Sequence, residues 1–206
     1  MIWADKRAGG DLWRSLRRRG KRYNRRGAHT AGRSVIPYRI DIADRPAIVA
    51  AKSRLGDWEG DTIVGARHQG ALVTHVERKS LFATISKLSR PTAQAMHRAT
   101  VHRLKPFRPH VHTITYDNGK EFAGHRKTAH LLHAQVFFAT PYHAWERGVN
   151  ENTNGLIRDF FPKDTDFATI HPATVAKVER LLNRRPRKSL GFQTPNEVFH
   201  ALARRG

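Results

Sequence analysis

Three short runs between Gly56 and Leu88 limit what this chain can become. GDWEGDTIVG (56–65), ALVTHVE (71–77) and LFATISKL (81–88) are apolar or β-branched. Gly-rich or charged turns separate them, a pattern that predicts three antiparallel strands in meander order. A helix over 92–105 follows, with Pro91 at its start and Ala95, Met96, Ala99 and Leu104 as its apolar stripe. VHTITYDNG (111–119) predicts a fourth strand, 124–133 a helix, QVFFAT (135–140) a fifth strand, and the stretch from about Asn150 another helix. The order β-β-β-α-β-α-β-α predicts an α/β chain with a mixed five-stranded sheet and helices on its faces. Helices are also expected over 172–184 and 195–203, joined by the linker NRRPRKSLGFQTP. Upstream, Leu12, Trp13 and Leu16 suggest a short helix over 11–19, and Asp44 with Pro46 a capped helix over 45–53.

Charge limits the partner. The 206 residues carry 38 Lys+Arg against 17 Asp+Glu, a formal net charge of +21. Self-repulsion of that size opposes folding, so it points to a polyanion, with nucleic acid foremost. Residues 1–34 alone hold eleven basic and two acidic residues, as an arm that tracks phosphates would. Cysteine is absent, which excludes disulfides, a thiolate nucleophile and Cys-ligated zinc. The thirteen histidines are scattered; His130 and His133, three apart on an expected helix, have a spacing that surface residues also show. No apolar run spans a membrane and no secretory signal opens the chain, so the expected location is cytoplasmic.

Three acids stand where the local pattern does not ask for one. Asp61 lies inside the first strand, which disfavours Asp. Asp117 ends the Ile114-Thr115-Tyr116 run, and ligands of open α/β sheets gather beyond such strand ends. Glu151 opens a helix whose expected polar side holds Glu151, Asn154, Gly155 and Arg158, against Leu156, Ile157, Phe160 and Phe161 behind. Each acid alone reads as the partner of one of many arginines. Together, in a basic chain, they suggest an acidic pocket for divalent metal on a phosphodiester substrate. Asp57, Glu59, Glu121, Glu146 and Asp164 are competing carboxylates, and Trp58, Tyr142 and Trp145 flank the acids as packing or pocket-shaping residues.

GDWEGDTIVG, ERKS (77–80), TYDNGKEFAGH (115–125), PYHAWERGVNENTNGLIRDFFPKDTDF (141–167) and LNRRPRKSLGFQTPNEVF (182–199), in that order, resemble the DDE transposases of insertion-sequence family 30. The resemblance covers nearly the whole chain. It implies the RNase H-like fold of retroviral integrases, with 1–50 as a basic arm and entry segment and 51–206 as the catalytic core with C-terminal helices. It matches Asp61, Asp117 and Glu151 to the catalytic, metal-holding triad; the 33 residues between Asp117 and Glu151 are the family's usual gap. Arg158 matches the basic residue that accompanies the Glu. Arg147, Lys163, Arg184 and Arg185 complete the expected DNA contacts. Two Mg2+ ions (or Mn2+), DNA ends and target, and self-association on DNA are implied as cofactor and partners. The implied activity is metal-dependent cleavage and strand transfer. An idle DNA-binding remnant and a free-standing nuclease are the other readings. The family usually has Gly where Asp164 stands, and its N-terminal helix-turn-helix regions have no counterpart here, so the expectation is a catalytic-domain portion.

Overall fold

The structure, a computed structural model, describes residues 2–15, 36–141 and 143–205, without the side chains of Ser15, Ala144 and Trp145. The chain gathers into two compact units, residues 1–31 and 32–206. In the first, α1 (Ile2–Arg7) is a helix the sequence pattern did not predict, and Leu12–Ser15 form a 3-10 turn. The rest of the helix expected over 11–19, and most of the basic arm, lie outside the described residues.

The second unit is built on five strands: β1 (Asp57–Val64), β2 (Ala71–Glu77), β3 (Ala83–Leu88), β4 (Thr113–Tyr116) and β5 (Gln135–Phe138). Their order is β3-β2-β1-β4-β5. The first three form the expected antiparallel meander, and β4 and β5 add in parallel, giving a mixed sheet. The helices are α2 (Ala47–Ala51), α3 (Ala93–Leu104), α4 (His125–Leu132), α5 (Gly148–Phe160), α6 (Pro172–Asn183) and α7 (Pro195–Ala203).

Two corrections are local. Asp44 does not cap α2: Pro46 holds that position, and Asp41 caps the preceding 3-10 turn by accepting the Ala43 amide at 3.1 Å. The fourth strand is shorter than 111–119, so Asp117 stands just beyond its end, where its carboxylate accepts the Gly119 amide at 2.9 Å in a side-chain turn.

Strand alternation sorts β1 between two cores. Trp58 faces a cluster with Phe82, Phe107 and Phe199, in which Phe82 and Phe199 stack with centroids 4.6 Å apart. Phe199 thereby fastens α7 to the sheet. Ile63 faces the other cluster, with Ile157 of α5 and Val175, Val178 and Leu182 of α6. Gly60 is required where it stands, because a Cβ there would lie 2.2 Å from a Tyr116 ring carbon.

Both sheet edges are covered. Phe138 of β5 donates to the Ile40 carbonyl at 2.9 Å. On β3, the Asn183 side chain accepts from the Ala83 amide at 2.9 Å and donates to its carbonyl at 2.7 Å, while Glu179 accepts from the Ile85 amide. Side chains of α6 thus satisfy the outward backbone groups of an edge strand that would otherwise invite pairing. Asn183→Ala would strand a buried N–H and C=O together and should cost about 2–3 kcal/mol, read as a lower urea midpoint with unchanged slope. Leu181→Ala, at an exposed neighbouring position, should stay within about 0.5 kcal/mol.

Candidate active site

The acidic face of β1 sets the site. Asp57, Glu59 and Asp61 alternate with Trp58 and Gly60, so they share one face, and each has its own arginine. Asp57 accepts two bonds from Arg54, at 2.9 and 3.0 Å, and one from the Thr113 hydroxyl at 2.8 Å. Glu59 pairs with buried Arg78 at 2.8 Å. Asp61 meets Arg147, whose Nη1 lies 3.4 Å from Asp61 Oδ2. The first two acids are therefore structural.

Glu59 also docks α5. Its Oε2 accepts the Asn150 amide at 2.8 Å, and the Asn150 side chain donates to the Glu59 carbonyl at 3.0 Å. The amide is one of the donors that a helix's first turn leaves without an intrahelical partner. Burial pushes the Glu59 carboxyl above its ordinary range, and Arg78 and the Asn150 amide pull it back. The buried side of α5 is accordingly Val149, Asn150, Thr153 and Ile157, while Phe160 is exposed. This corrects the expected apolar side: two polar residues replace the aromatic one because their bonds to β1 and within the helix are made internally.

One turn further on, Asn154 Nδ2 donates to Asp61 Oδ2 at 2.9 Å, and the Thr62 amide holds Oδ1 at 2.8 Å. Asp117 arrives from β4. Its register with β1 pairs Glu59 with Thr115, so two further residues along both strands set Asp61 level with Asp117. The Arg147 fork spans the pair, with Nη2 at 3.8 Å from Asp117 Oδ2. Glu151 sits exposed in the first turn of α5, three residues before Asn154. The structure thus joins Asp61 and Asp117 through one cation. Among the described residues, no group of three His, Cys, Asp or Glu side chains gathers closely enough to hold a metal. The Asp61–Asp117 pair still fits a hard divalent ion: both turn a carboxylate oxygen toward one shared positive group, and oxygen is the donor magnesium takes.

The competing acids sort by their partners. Glu146 accepts the Thr140 amide at 2.8 Å and pairs with His143, which fixes the turn ahead of α5. Glu121, the competitor nearest Asp117 in sequence, is pushed upward by burial and by the Asp117 charge, and it lies within reach of the Thr62 side chain. Asp164 is exposed and is not among the described residues with positive φ, so the backbone there does not require glycine.

Among the expected DNA contacts, Arg158 is turned inward, donating to the Val64 carbonyl at 2.8 Å and the Pro162 carbonyl at 3.2 Å. It stitches the end of β1 to the loop after α5. Arg147 is turned to the acids. Lys163, Arg184 and Arg185 are exposed, the last two at the C-terminal end of α6, where cations also favour the helix dipole. Trp58 is fully buried and donates to the His110 carbonyl at 2.9 Å, which settles it as a packing residue. Tyr142 lies outside the described residues.

Burial is the largest cause that raises the Asp61 carboxyl, to about 6; the Asp117 charge adds to it and Arg147 opposes it. The folded state therefore binds this proton more tightly than the unfolded one. Stability from this group is full below the unfolded value of about 4 and is lost as pH rises through about 6. In chelator, Asp61→Asn should lack this loss. Its stability relative to the parent should climb by roughly 2 kcal/mol between about pH 4 and 7 in denaturant titrations. A pH-independent difference would contradict the burial of this carboxylate.

No protein-family model matches the chain. The transposase of insertion sequence element IS4351 from Bacteroides fragilis is 50% identical over 201 residues, which is 98% of this chain and 62% of that protein. The InsI transposase of IS30A from Escherichia coli strain K12 is 34% identical over 183 residues, covering 88% of this chain and 47% of its own length. The chain therefore spans between about half and three-fifths of these two relatives. The fold matches the catalytic core domain of HTLV-2 integrase, solved in complex with magnesium, at a TM-score of 0.56 and 19% identity, over 71% of this chain and 97% of that one. The chain has the RNase H-like fold of integrase cores, and over the stretch it spans it is similar to insertion-sequence transposases, IS30 members among them.

Proposed function

We propose that this chain is the catalytic core of a DNA transposase that cuts a strand at an element end and joins it to target DNA. The observation that carries the reading is the pairing of Asp61 and Asp117, from adjacent parallel strands, around one positive charge, with α5 docked beside them. In this reading Asp61, Asp117 and Glu151 supply the oxygen ligands of two Mg2+ ions, for which Mn2+ can substitute. When bound, such ions activate the attacking oxygen and stabilise the leaving one.

The chain's own residues do the positioning. Asn154 and the Thr62 amide fix the two oxygens of Asp61, and the Gly119 amide fixes Asp117. The exposed Lys163, Arg184 and Arg185 draw in phosphates, while Arg158 holds the loop that follows α5. In the first step a water oxygen attacks the phosphorus at the element end and the 3′ oxygen leaves as a hydroxyl. In the second, that 3′-OH attacks a target phosphodiester in line, and one phosphodiester replaces another. Copies of the chain assemble on DNA to bring the two substrates together. We place the activity in the cytoplasm; no helix among the described residues is long and apolar enough to cross a membrane.

A second reading, DNA binding without cleavage, is favoured by one feature: the Arg147 guanidinium already lies across both aspartates. Nicking of labelled duplex DNA separates the two. The transposase reading predicts Mg2+- or Mn2+-dependent cleavage that Asp61→Asn, Asp117→Asn and Glu151→Gln each lower by about a hundredfold or more, with DNA affinity little changed. Binding with a steep salt dependence and no metal-dependent nicking by the parent chain would select the second reading.

A further inference from the structure

Arg147 is placed oddly for a residue whose task is to meet DNA. Only 15% of its side chain is exposed, and its fork points at the acids. Yet it is poorly satisfied there. Its contacts to Asp61 and Asp117, at 3.4 and 3.8 Å, and to the Gly60 carbonyl, at 3.4 Å, exceed the roughly 2.7–2.9 Å of a well-made charge-assisted bond. Its buried Nε has no partner. Asp61 is held more firmly by Asn154 and the Thr62 amide, at 2.9 and 2.8 Å.

The backbone around Arg147 gives it somewhere to go. It closes a single 3-10 turn, Ala144–Arg147, and occupies the N-cap of α5 with non-helical dihedrals, φ −123° and ψ 35°. Its cap makes no side-chain bond to the helix, and Gly148 follows in open space. α5 itself stays fixed through Asn150 on Glu59. A swing of this one side chain therefore leaves the helix in place.

The geometry points to Arg147 as an internal stand-in for divalent charge: its guanidinium bridges Asp61 and Asp117, and it must leave those oxygens before a divalent ion can enter. The oxygens at issue are the same. Both contacts are to Oδ2 atoms, the carboxylate oxygens a divalent ion shared by the two aspartates would take. Guanidinium and metal then exclude each other by space and by like charge. Once displaced, Arg147 presents its charge to solvent, where a phosphate can take it up. This inference rests on the two-aspartate metal site proposed above.

The test is Mn2+ binding by calorimetry on the full chain without DNA. Arg147→Gln should bind Mn2+ about fivefold more tightly than the parent, a coupling of ordinary size between two linked sites. Arg90→Gln, which removes the same charge from the exposed turn after β3, should change affinity less than about twofold. Unchanged or weaker binding by Arg147→Gln would overturn the gate. Asp61→Asn separates the two levels: if it abolishes binding while Arg147→Gln changes nothing, only the gate fails, and if it leaves binding intact, the metal site and the gate fall together. A readout on the unmutated chain guards against misfolding of the variant. The buried Arg147 Nε–H should lose its protection from solvent exchange, followed by NMR, as Mg2+ is added; protection that persists at metal saturation would also overturn the inference.

Discussion

The buried bond that the Asn150 amide donates to the Glu59 carboxylate fixes the relation between β1 and α5, and the rest of the site follows from it. Asp61 lies two residues beyond Glu59 on the same strand face, and Glu151 one residue beyond Asn150. Fixing one pair fixes where both acids can be. The bond is expensive to maintain, since Glu59 is almost wholly removed from water. Arg78 compensates, also buried and 2.8 Å away. Removing one member of such a pair usually costs about 3–5 kcal/mol, because the other charge is left without compensation.

The same device recurs along β1 with diminishing tightness. Asp57 with Arg54 is a two-bond pair at 2.9–3.0 Å, Glu59 with Arg78 is a single short one, and Asp61 with Arg147 is a long contact at 3.4 Å. The two structural acids lie toward the start of the strand, beside the β4 pairing. The third lies where β4 ends and a ligand can approach. A strand face of three carboxylates would repel itself without these arginines. The excess of basic residues therefore has an inward use as well as an outward one, and counting it all as phosphate-seeking surface overstates the latter.

Much of the fold was legible in the sequence. The meander and most helices follow from alternation, β-branched runs and helical spacing, whereas the one cap expected from sequence, Asp44, gives way to Pro46. Asp61 and Asp117 were legible because each breaks its local pattern. What was not legible depends on tertiary partners. No periodicity shows that Asn150 and Thr153 are buried, since polar residues reach the interior only when a partner such as Glu59 is supplied from elsewhere in the chain. Nor could spacing show that Arg158 bonds backbone carbonyls, or that Arg147 faces acids. The place of Glu151 beside the aspartates is the part that spacing and resemblance propose, while the structure gives it a separate, exposed position on α5.

The central claim is that these three acids form one metal site. Anomalous diffraction from crystals of the chain soaked in Mn2+ tests it most directly. The account predicts a peak between the Asp61 and Asp117 carboxylates, with Glu151 drawn to ligand distance of bound metal and Arg147 turned away. Manganese found only elsewhere, with Arg147 still bridging the two aspartates, would contradict it.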